Sequence, residues 1–298
     1  MEQRAITRFN PRIREVGRVF RFRLTSATAL GILALACAGS VPERAAPHER
    51  VVSLAPSITE LLFSVGAGPA VVGRTRWASD PPEALAVPSV GDGLNPNVEA
   101  VAARQPDLVI LYDSPANAGP AAQLRQLGIE TVAFRMDRLD DVAKGARLFG
   151  ALIGVSDVAE EEAARFSTAL DSARRVPRPA DRPRVLILSW DQPPIVIGAG
   201  SFQSELLDLA GAENVFADLA GPSGQVTIEI IAERNPDLVL LTGGVSDPSW
   251  GSRPEWQVVP AVRQRRFVIV DGSEFSYPSF RALTAVQRLR QALAEVRE

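Results

Sequence analysis

Thirteen residues of this chain occur twice. Glu99 to Leu111 reads E-A-V-A-A-R-Q-P-D-L-V-I-L, and Glu229 to Leu241 reads E-I-I-A-E-R-N-P-D-L-V-L-L. Eight positions are identical: Glu99/Glu229, Ala102/Ala232, Arg104/Arg234, Pro106/Pro236, Asp107/Asp237, Leu108/Leu238, Val109/Val239 and Leu111/Leu241. The copies stand too far apart for a solenoid, whose repeats run to a few tens of residues. Two large units of similar build fit better. Two like lobes leave a cleft between them, and ligands bind in clefts between domains.

The repeated unit has a readable shape. Asn97 and Thr227 each stand two residues before the shared Glu, and both are good helix N-caps. A short helix follows, with apolar Val98, Val101 and Ala102 in one copy and Ile228, Ile231 and Ala232 in the other. Pro106 and Pro236 bar continuation, because proline disfavours the helical conformation of the preceding residue. The unbroken apolar runs Leu108-Val109-Ile110-Leu111 and Leu238-Val239-Leu240-Leu241 suit strands of a parallel sheet covered by helices on both faces. Helix and strand alternate in each half, so each lobe is predicted to be α/β.

Each half opens alike, with Arg50-Val51-Val52-Ser53-Leu54 and Arg184-Val185-Leu186-Ile187-Leu188. After the first opening, Ser57 with Glu60 three residues on predicts a capped helix, and Gly66 and Gly68 are stop signals. A strand begins again at Val71. Between the halves, Ser156 is a candidate N-cap, and Asp157 with Glu160 to Glu162 puts negative charge near a helix start. Val158, Ala163, Phe166 and Leu170 fall on one stripe, and Arg174, Arg175 and Pro177 mark the end. Such a helix, about 28 Å long, would cross from one lobe to the other. Pro179 and Pro183 stiffen the loop after it.

The N-terminus has a different character. Seven arginines between Arg4 and Arg23 precede the mostly apolar stretch Leu24 to Ala36. That stretch is short for a membrane-spanning helix. A basic start, a short apolar core and a small residue at its end describe an export signal over residues 1–37, the alternative being an uncleaved membrane anchor. The single cysteine, Cys37, closes Ala34-Leu35-Ala36-Cys37. Its position resembles the lipobox of bacterial lipoproteins, with Ala34 where Leu is preferred; the alternative is a cysteine near an ordinary cleavage site. Residues 38–49, rich in Ala, Pro and Glu, are predicted to form a flexible tether. Residues 1–36 hold seven of the 32 basic residues and two of the 35 acidic ones, so the remainder is acidic by eight. No long basic run survives in it, which excludes nucleic acid from the expected partners.

One histidine, His48, and one cysteine leave little room for several chemistries. Ser-His-Asp and Cys-His catalysis, zincin motifs and most zinc sites are excluded. No phosphate-binding loop motif is present. Gly198-Ala199-Gly200-Ser201 opens a helix near Phe202, as a tight turn or as a small anion nest. Carboxylates are plentiful, but no pair stands out.

Four segments taken together resemble the class III substrate-binding proteins of bacterial ABC importers, which receive vitamin B12, ferric siderophores or haem. They are Arg50 to Phe63, Val71 to Pro82, Asn95 to Val109 and Gly198 to Phe216, and the resemblance runs from about Glu49 to the C-terminus. It implies an α/β fold of two Rossmann-like lobes bridged by a single long α-helix, with the ligand cleft between the lobes. The expected organisation is an N-terminal lobe over residues 50–155, the interlobe helix over 156–177 and a C-terminal lobe over 178–298. A stiff helix implies small closure. The resemblance also implies an exposed Glu on each lobe that meets arginines of the permease, at Glu99 and Glu229; each would also favour its own helix N-terminus.

For ligand contact the resemblance points to aromatic residues, which are only 6 % of the chain. Trp77 and Tyr112 match family positions and follow strand ends, where open α/β sheets bind ligands. Trp190 is a candidate from the opposite lobe, and Phe275 and Tyr277 from a late loop. Gly93, Ser223 and Ile195 stand where the B12-binding relatives carry aromatics. For an anionic siderophore the available cations are Arg74, Arg76 and Arg281. For haem, the ligating candidates are Tyr112 and Tyr277. The expected function is an exported, lipid-anchored, monomeric receptor that catalyses no reaction. It would capture a metal-chelate cargo, a corrinoid ahead of a ferric siderophore or haem, and deliver it to a permease dimer with its ATPase. No intrinsic cofactor or metal is expected. The rivals are a secreted carboxylate-dependent enzyme and a surface interaction module.

Overall fold

The structure is a computed structural model that describes residues 46–242, 248–270 and 272–296. The expected signal segment, Cys37 and residues 38–45 lie outside the described residues. Among the described residues, no helix is long and apolar enough to cross a membrane.

The first lobe runs β1 (Val51–Ser53), α1 (Pro56–Ser64), β2 (Val71–Arg74), α2 (Val98–Ala102), β3 (Leu108–Tyr112), α3 (Pro115–Gln126), β4 (Glu130–Phe134) and α4 (Leu139–Ile153). Its sheet is parallel, in the order β2-β1-β3-β4. The helix α5 (Ser156–Arg175) follows. The second lobe runs β5 (Arg184–Asp191), β6 (Pro194–Ile197), α6 (Phe202–Ala210), β7 (Glu213–Asn214), β8 (Ser223–Gln225), α7 (Ile228–Arg234), β9 (Leu238–Thr242), α8 (Pro260–Arg263), β10 (Phe267–Val270) and α9 (Ala282–Glu295). Its sheet has the order β10-β9-β5-β6-β8, with β7 beside β5. The β6 and β8 pairings are antiparallel.

The duplicated residues do the same structural work in both lobes. Val51 pairs with Leu108, and Val185 with Leu238, each in parallel. The carboxylate of Asp107 accepts the backbone N–H of Arg50, and that of Asp237 accepts the N–H of Arg184 at 2.8 Å. Each therefore caps an orphan donor at the start of its lobe's first strand. Asn97 accepts from Ala100 N at 3.0 Å and Thr227 from Ile230 N at 3.4 Å, as the N-cap pattern predicts.

Strand residues alternate between two apolar layers. Val51, Leu108 and Ile110 share a core with Val185, Ile187 and Leu240 of the other lobe, together with residues of α4, α5, α6 and α9. Val52, Val109 and Leu111 face a separate outer core in the first lobe, as Leu186, Val239 and Leu241 do in the second. The inner strands of each sheet are thus buried on both faces, and one continuous apolar layer joins the lobes.

The helix α5 lies across that junction. Gly150 of α4 brings it close, since a Cβ there would stand 2.3 Å from that of Ala159. Phe166 meets Phe280 edge-on at 5.4 Å. At its C-terminal end Arg174 holds Asp140 of α4 at 2.8 Å and Glu205 of α6 at 2.9 Å. Val158, assigned to the buried stripe by periodicity, is exposed, and Ala159 takes its place.

Three local expectations are corrected. The cap of α1 is Ala55, not Ser57, because Pro56 occupies the first helical position, where its fixed φ suits the helix. Val155, not Ser156, precedes α5, because α4 runs to Ile153 and ends on left-handed Gly154. The last residues of the expected tether are not loose: His48 N–H donates to the Leu152 carbonyl at 2.9 Å, and its ring lies 3.4 Å from Asp107 and from Glu130.

Candidate functional site

A cleft of about 380 Å³ opens between the lobes, within the usual range for ligand sites. The first lobe lines it from the C-terminal ends of its parallel strands. Leu54 to Ser57 follow β1, Thr75 and Trp77 follow β2, Tyr112 ends β3, and Met136 and Asp137 follow β4. The loop before α2 adds Asp92, Gly93 and Leu94. The second lobe contributes Ser189 of β5, Ile197 of β6, Ser201 to Gln203 at the start of α6, Ser223, and the turn Ser276 to Pro278. Open α/β sheets expose loop residues at these strand tips, where they can converge on a ligand.

The seven residues expected to touch cargo separate into three groups. Trp77, Tyr112 and Tyr277 line the cleft. Arg76 does not line it but braces its lip: Nη2 lies 2.7 Å from Asp92 Oδ2, and the guanidinium sits 4.8 Å over the Trp77 ring. Asp92 in turn accepts Leu94 N–H at 2.9 Å, a bond that pulls its carboxyl below the usual range, with Arg76 adding to the effect. Trp77 is thereby held exposed, at 59 % accessibility, with a cation on one face.

Trp190, Phe275 and Arg74 are corrections. Trp190 is 60 % exposed and is not among the residues lining the cleft; β5 bulges between Leu188 and Trp190, and the Trp190 Nε1 donates to Gln192 O at 2.9 Å. Phe275 is buried in the apolar core behind the cleft, because the single 3₁₀ turn Ser273–Phe275 turns it inward. It acts on the cleft only through its carbonyl, which accepts from Gln203 Nε2 at 3.2 Å. Arg74 is buried and spends its guanidinium on the Ala84 and Thr75 carbonyls, at 2.8 and 3.0 Å.

Arg281 is engaged as well. It forms a bidentate pair with Glu60 of α1 at 2.8 and 2.7 Å and donates to Ser273 Oγ at 2.7 Å. Glu60 belongs to the first lobe and Arg281 to the second, so the pair ties the lobes together beside the cleft. The expected capping partner of Ser57 is therefore an interlobe anchor. Glu274 takes Arg288 and lies 3.7 Å from Arg281.

Both phenols are held protonated. Burial, then the Tyr112 hydroxyl's 2.5 Å bond to Asp137 Oδ1, pushes that phenol up to about 12. Burial, then the charge of Glu60, raises Tyr277. Gly93 is dictated by the fold: a Cβ there would stand 1.9 Å from the Leu54 carbonyl oxygen, so no aromatic could occupy that position. Ser223 lines the cleft. The glycine-rich turn is no anion nest, because the N–H groups of Gly198, Ala199 and Gly200 already donate to the carbonyls of Pro222, Leu219 and Gly221.

Asp92, Asp137, Gln203 and Met136 escaped sequence reasoning. Single polar residues in loops look like ordinary surface; the one usable signal was that Met136 and Asp137 follow a strand end. Glu99 and Glu229 are both exposed in the first turns of α2 and α7. Among the described residues no cluster of His, Cys, Asp and Glu could hold a metal ion.

The chain is 29 % identical over 276 residues to the vitamin B12-binding protein of Pectobacterium atrosepticum, a span covering 90 % of this chain and 94 % of that protein. Among solved structures it is similar to the apo periplasmic heme-binding protein RhuT of Roseiflexus sp. RS-1, with a TM-score of 0.71 and 26 % identity over 84 % of this chain and 99 % of that one. The periplasmic vitamin B12-binding protein BtuF of Vibrio cholerae aligns with a TM-score of 0.66 and 25 % identity, over 85 % of this chain and 99 % of that one. The periplasmic binding protein profile matches residues 51–274, from the first strand into the turn before α9. With its paired α/β lobes, central cleft and single long helix, the chain belongs to the periplasmic binding protein family, among the class III substrate-binding proteins.

Proposed function

We propose that this chain is the extracytoplasmic receptor of an ABC importer, and that it captures a corrinoid in the interlobe cleft and delivers it to the permease. The lining of the cleft carries this proposal. It offers one indole, two phenols and six further hydroxyls, and no Lys or Arg among the described lining residues. A flat ring edged with neutral amides suits such a lining: the indole stacks and the hydroxyls take hydrogen bonds. An anionic ferric chelate needs cations at its rim. Arg74, Arg76 and Arg281 are all committed to protein acceptors. The similarity to a vitamin B12-binding protein supports the same cargo.

Haem is the second reading, favoured by the similarity to a heme-binding protein. Of the two tyrosines that could ligate its iron, Tyr112 already donates its hydroxyl to Asp137. On this proposal the metal chelate is cargo, no reaction is catalysed, Glu99 and Glu229 dock on the permease, Cys37 carries a lipid anchor, and the receptor works as a monomer.

Titration of the mature protein with cobalamin, cobinamide, haem and ferric siderophores, followed by tryptophan fluorescence, tests it. Saturable quenching by corrinoids, lost in Trp77→Ala and with the cargo recovered unchanged, is the expected result. Binding of haem or a siderophore in place of corrinoids would overturn the corrinoid assignment. Indifference to every probe would overturn the receptor.

A further inference from the structure

Two carboxylates line the cleft, and their surroundings differ. Asp92 is neutralised at the lip by Arg76. Asp137, in the turn after β4, has no such partner among the described residues. Its flanking arginines point elsewhere: Arg135 donates to the Asp113 carbonyl at 3.1 Å, and Arg138 pairs with Glu205. Glu60 and Glu205, which lie at the lobe junction, and Glu274 of the second lobe each hold an arginine.

Asp137 is nevertheless firmly placed. Its N–H donates to Asp141 Oδ2 at 3.3 Å, and its carbonyl accepts from Phe202 N across the lobe junction at 2.6 Å. Its Oδ1 accepts the Tyr112 hydroxyl. Its Oδ2 takes no hydrogen bond from the described residues. A fixed, unpaired carboxylate in a half-buried cleft is a strong acceptor for an N–H donor and repels another anion.

We propose that Asp137 determines specificity: its open oxygen accepts an N–H from the cargo, and its charge selects corrinoids edged with carboxamides over those edged with carboxylates. This deepens, and rests on, the corrinoid assignment. Tyr112 serves as the positioning residue, since its phenol stays a donor throughout the neutral range. Neutral amides gain a charge-assisted bond in this arrangement, whereas peripheral carboxylates meet a like charge with no cation to screen it.

The test uses two probes that share ring and metal, dicyanocobyrinic acid and its fully amidated counterpart. The amide is expected to bind the wild-type receptor roughly a hundredfold more tightly, as a juxtaposed like charge costs several kcal/mol. Asp137→Asn can still accept from Tyr112 but turns a donor toward the cleft. It should weaken amide binding about tenfold, the effect of losing one hydrogen bond to a charged group, and should strengthen acid binding. Asp137→Ser, which removes the charge in a smaller side chain, is the second variant should the first not fold. Equal wild-type affinities, or a ratio that Asp137→Asn leaves unchanged, would overturn the proposal and leave the corrinoid assignment standing. Failure of both probes to bind would overturn both.

Discussion

Replacing Arg281 by Ala should loosen the junction between the lobes by a measurable amount. The guanidinium makes two parallel bonds to Glu60, at 2.8 and 2.7 Å. The Glu60 side chain is only 6 % exposed, whereas that of Arg281 is 40 % exposed. Removing one partner of a fully buried pair costs about 3–5 kcal/mol, because the other charge is left uncompensated. Solvent at Arg281 screens part of that, and a hydrogen bond to a charged group contributes about 1.5–3 kcal/mol. The expected loss is therefore about 2–3 kcal/mol, or roughly 4–12 °C in melting temperature for a body of this size. Urea unfolding of the protein measures it, with Glu60→Gln and the double variant completing a cycle. The coupling should reach about 1.5 kcal/mol or more, since the two groups are in direct contact. Arg147→Ala serves as the control: its bond to Glu160 at 2.7 Å lies between two exposed side chains, and its loss should not be measurable. An Arg281→Ala loss below about 0.5 kcal/mol, or strict additivity with Glu60→Gln, would refute the reasoning and leave the shared apolar core as the tie between the lobes.

The remaining predictions concern the phenols and the proposed docking residues. The chain has two tyrosines, and both ionise above their ordinary value of 10.0, Tyr112 at about 12. A folded pKa above the unfolded one means that the folded state holds the proton more tightly. The linked stability is whole below about pH 10 and is lost as pH rises through the folded value. Alkaline absorbance titration should show no phenolate in the folded protein near pH 10, and half-ionisation there would refute the burial argument. Reversing both Glu99 and Glu229 to Lys should abolish delivery to the permease in a reconstituted transport assay while cargo affinity stays unchanged. Unaltered transport would remove the docking role. Glu229 also accepts from its own backbone N–H and from Thr227, which lowers its carboxyl, so a small stability loss should accompany the reversal.

Features set by near neighbours in the chain were legible before any coordinates. The N-caps at Asn97 and Thr227 act over three residues, and the apolar runs at Leu108 and Leu238 need only burial on both faces. The duplication itself announced two lobes, and its invariant Asp107 and Asp237 now have a reason, since each caps the first strand of its lobe. The long helix was likewise visible in its charges and apolar stripe. Errors of one or two residues at Ser57, Ser156 and Val158 show the grain of such reasoning: a proline or a left-handed glycine next door shifts the boundary, and the stripe turns with it.

What the sequence determined by itself was the pair of α/β lobes, the rod between them and the strand ends where a ligand can sit. Only the tertiary structure decided which side chains reach that ligand. Arg281 and Glu60 are 221 residues apart in the chain, and nothing local shows that one occupies the other. The same holds for Arg76 with Asp92, and for Tyr112 with Asp137. Placement, too, was decided late: Ser189 and Tyr277 line the cleft, Trp190 does not, and Phe275 is buried in the core. The physical reason is range: helix and strand propensities act over a few residues, whereas charge pairing and burial depend on which distant segments the fold brings into contact.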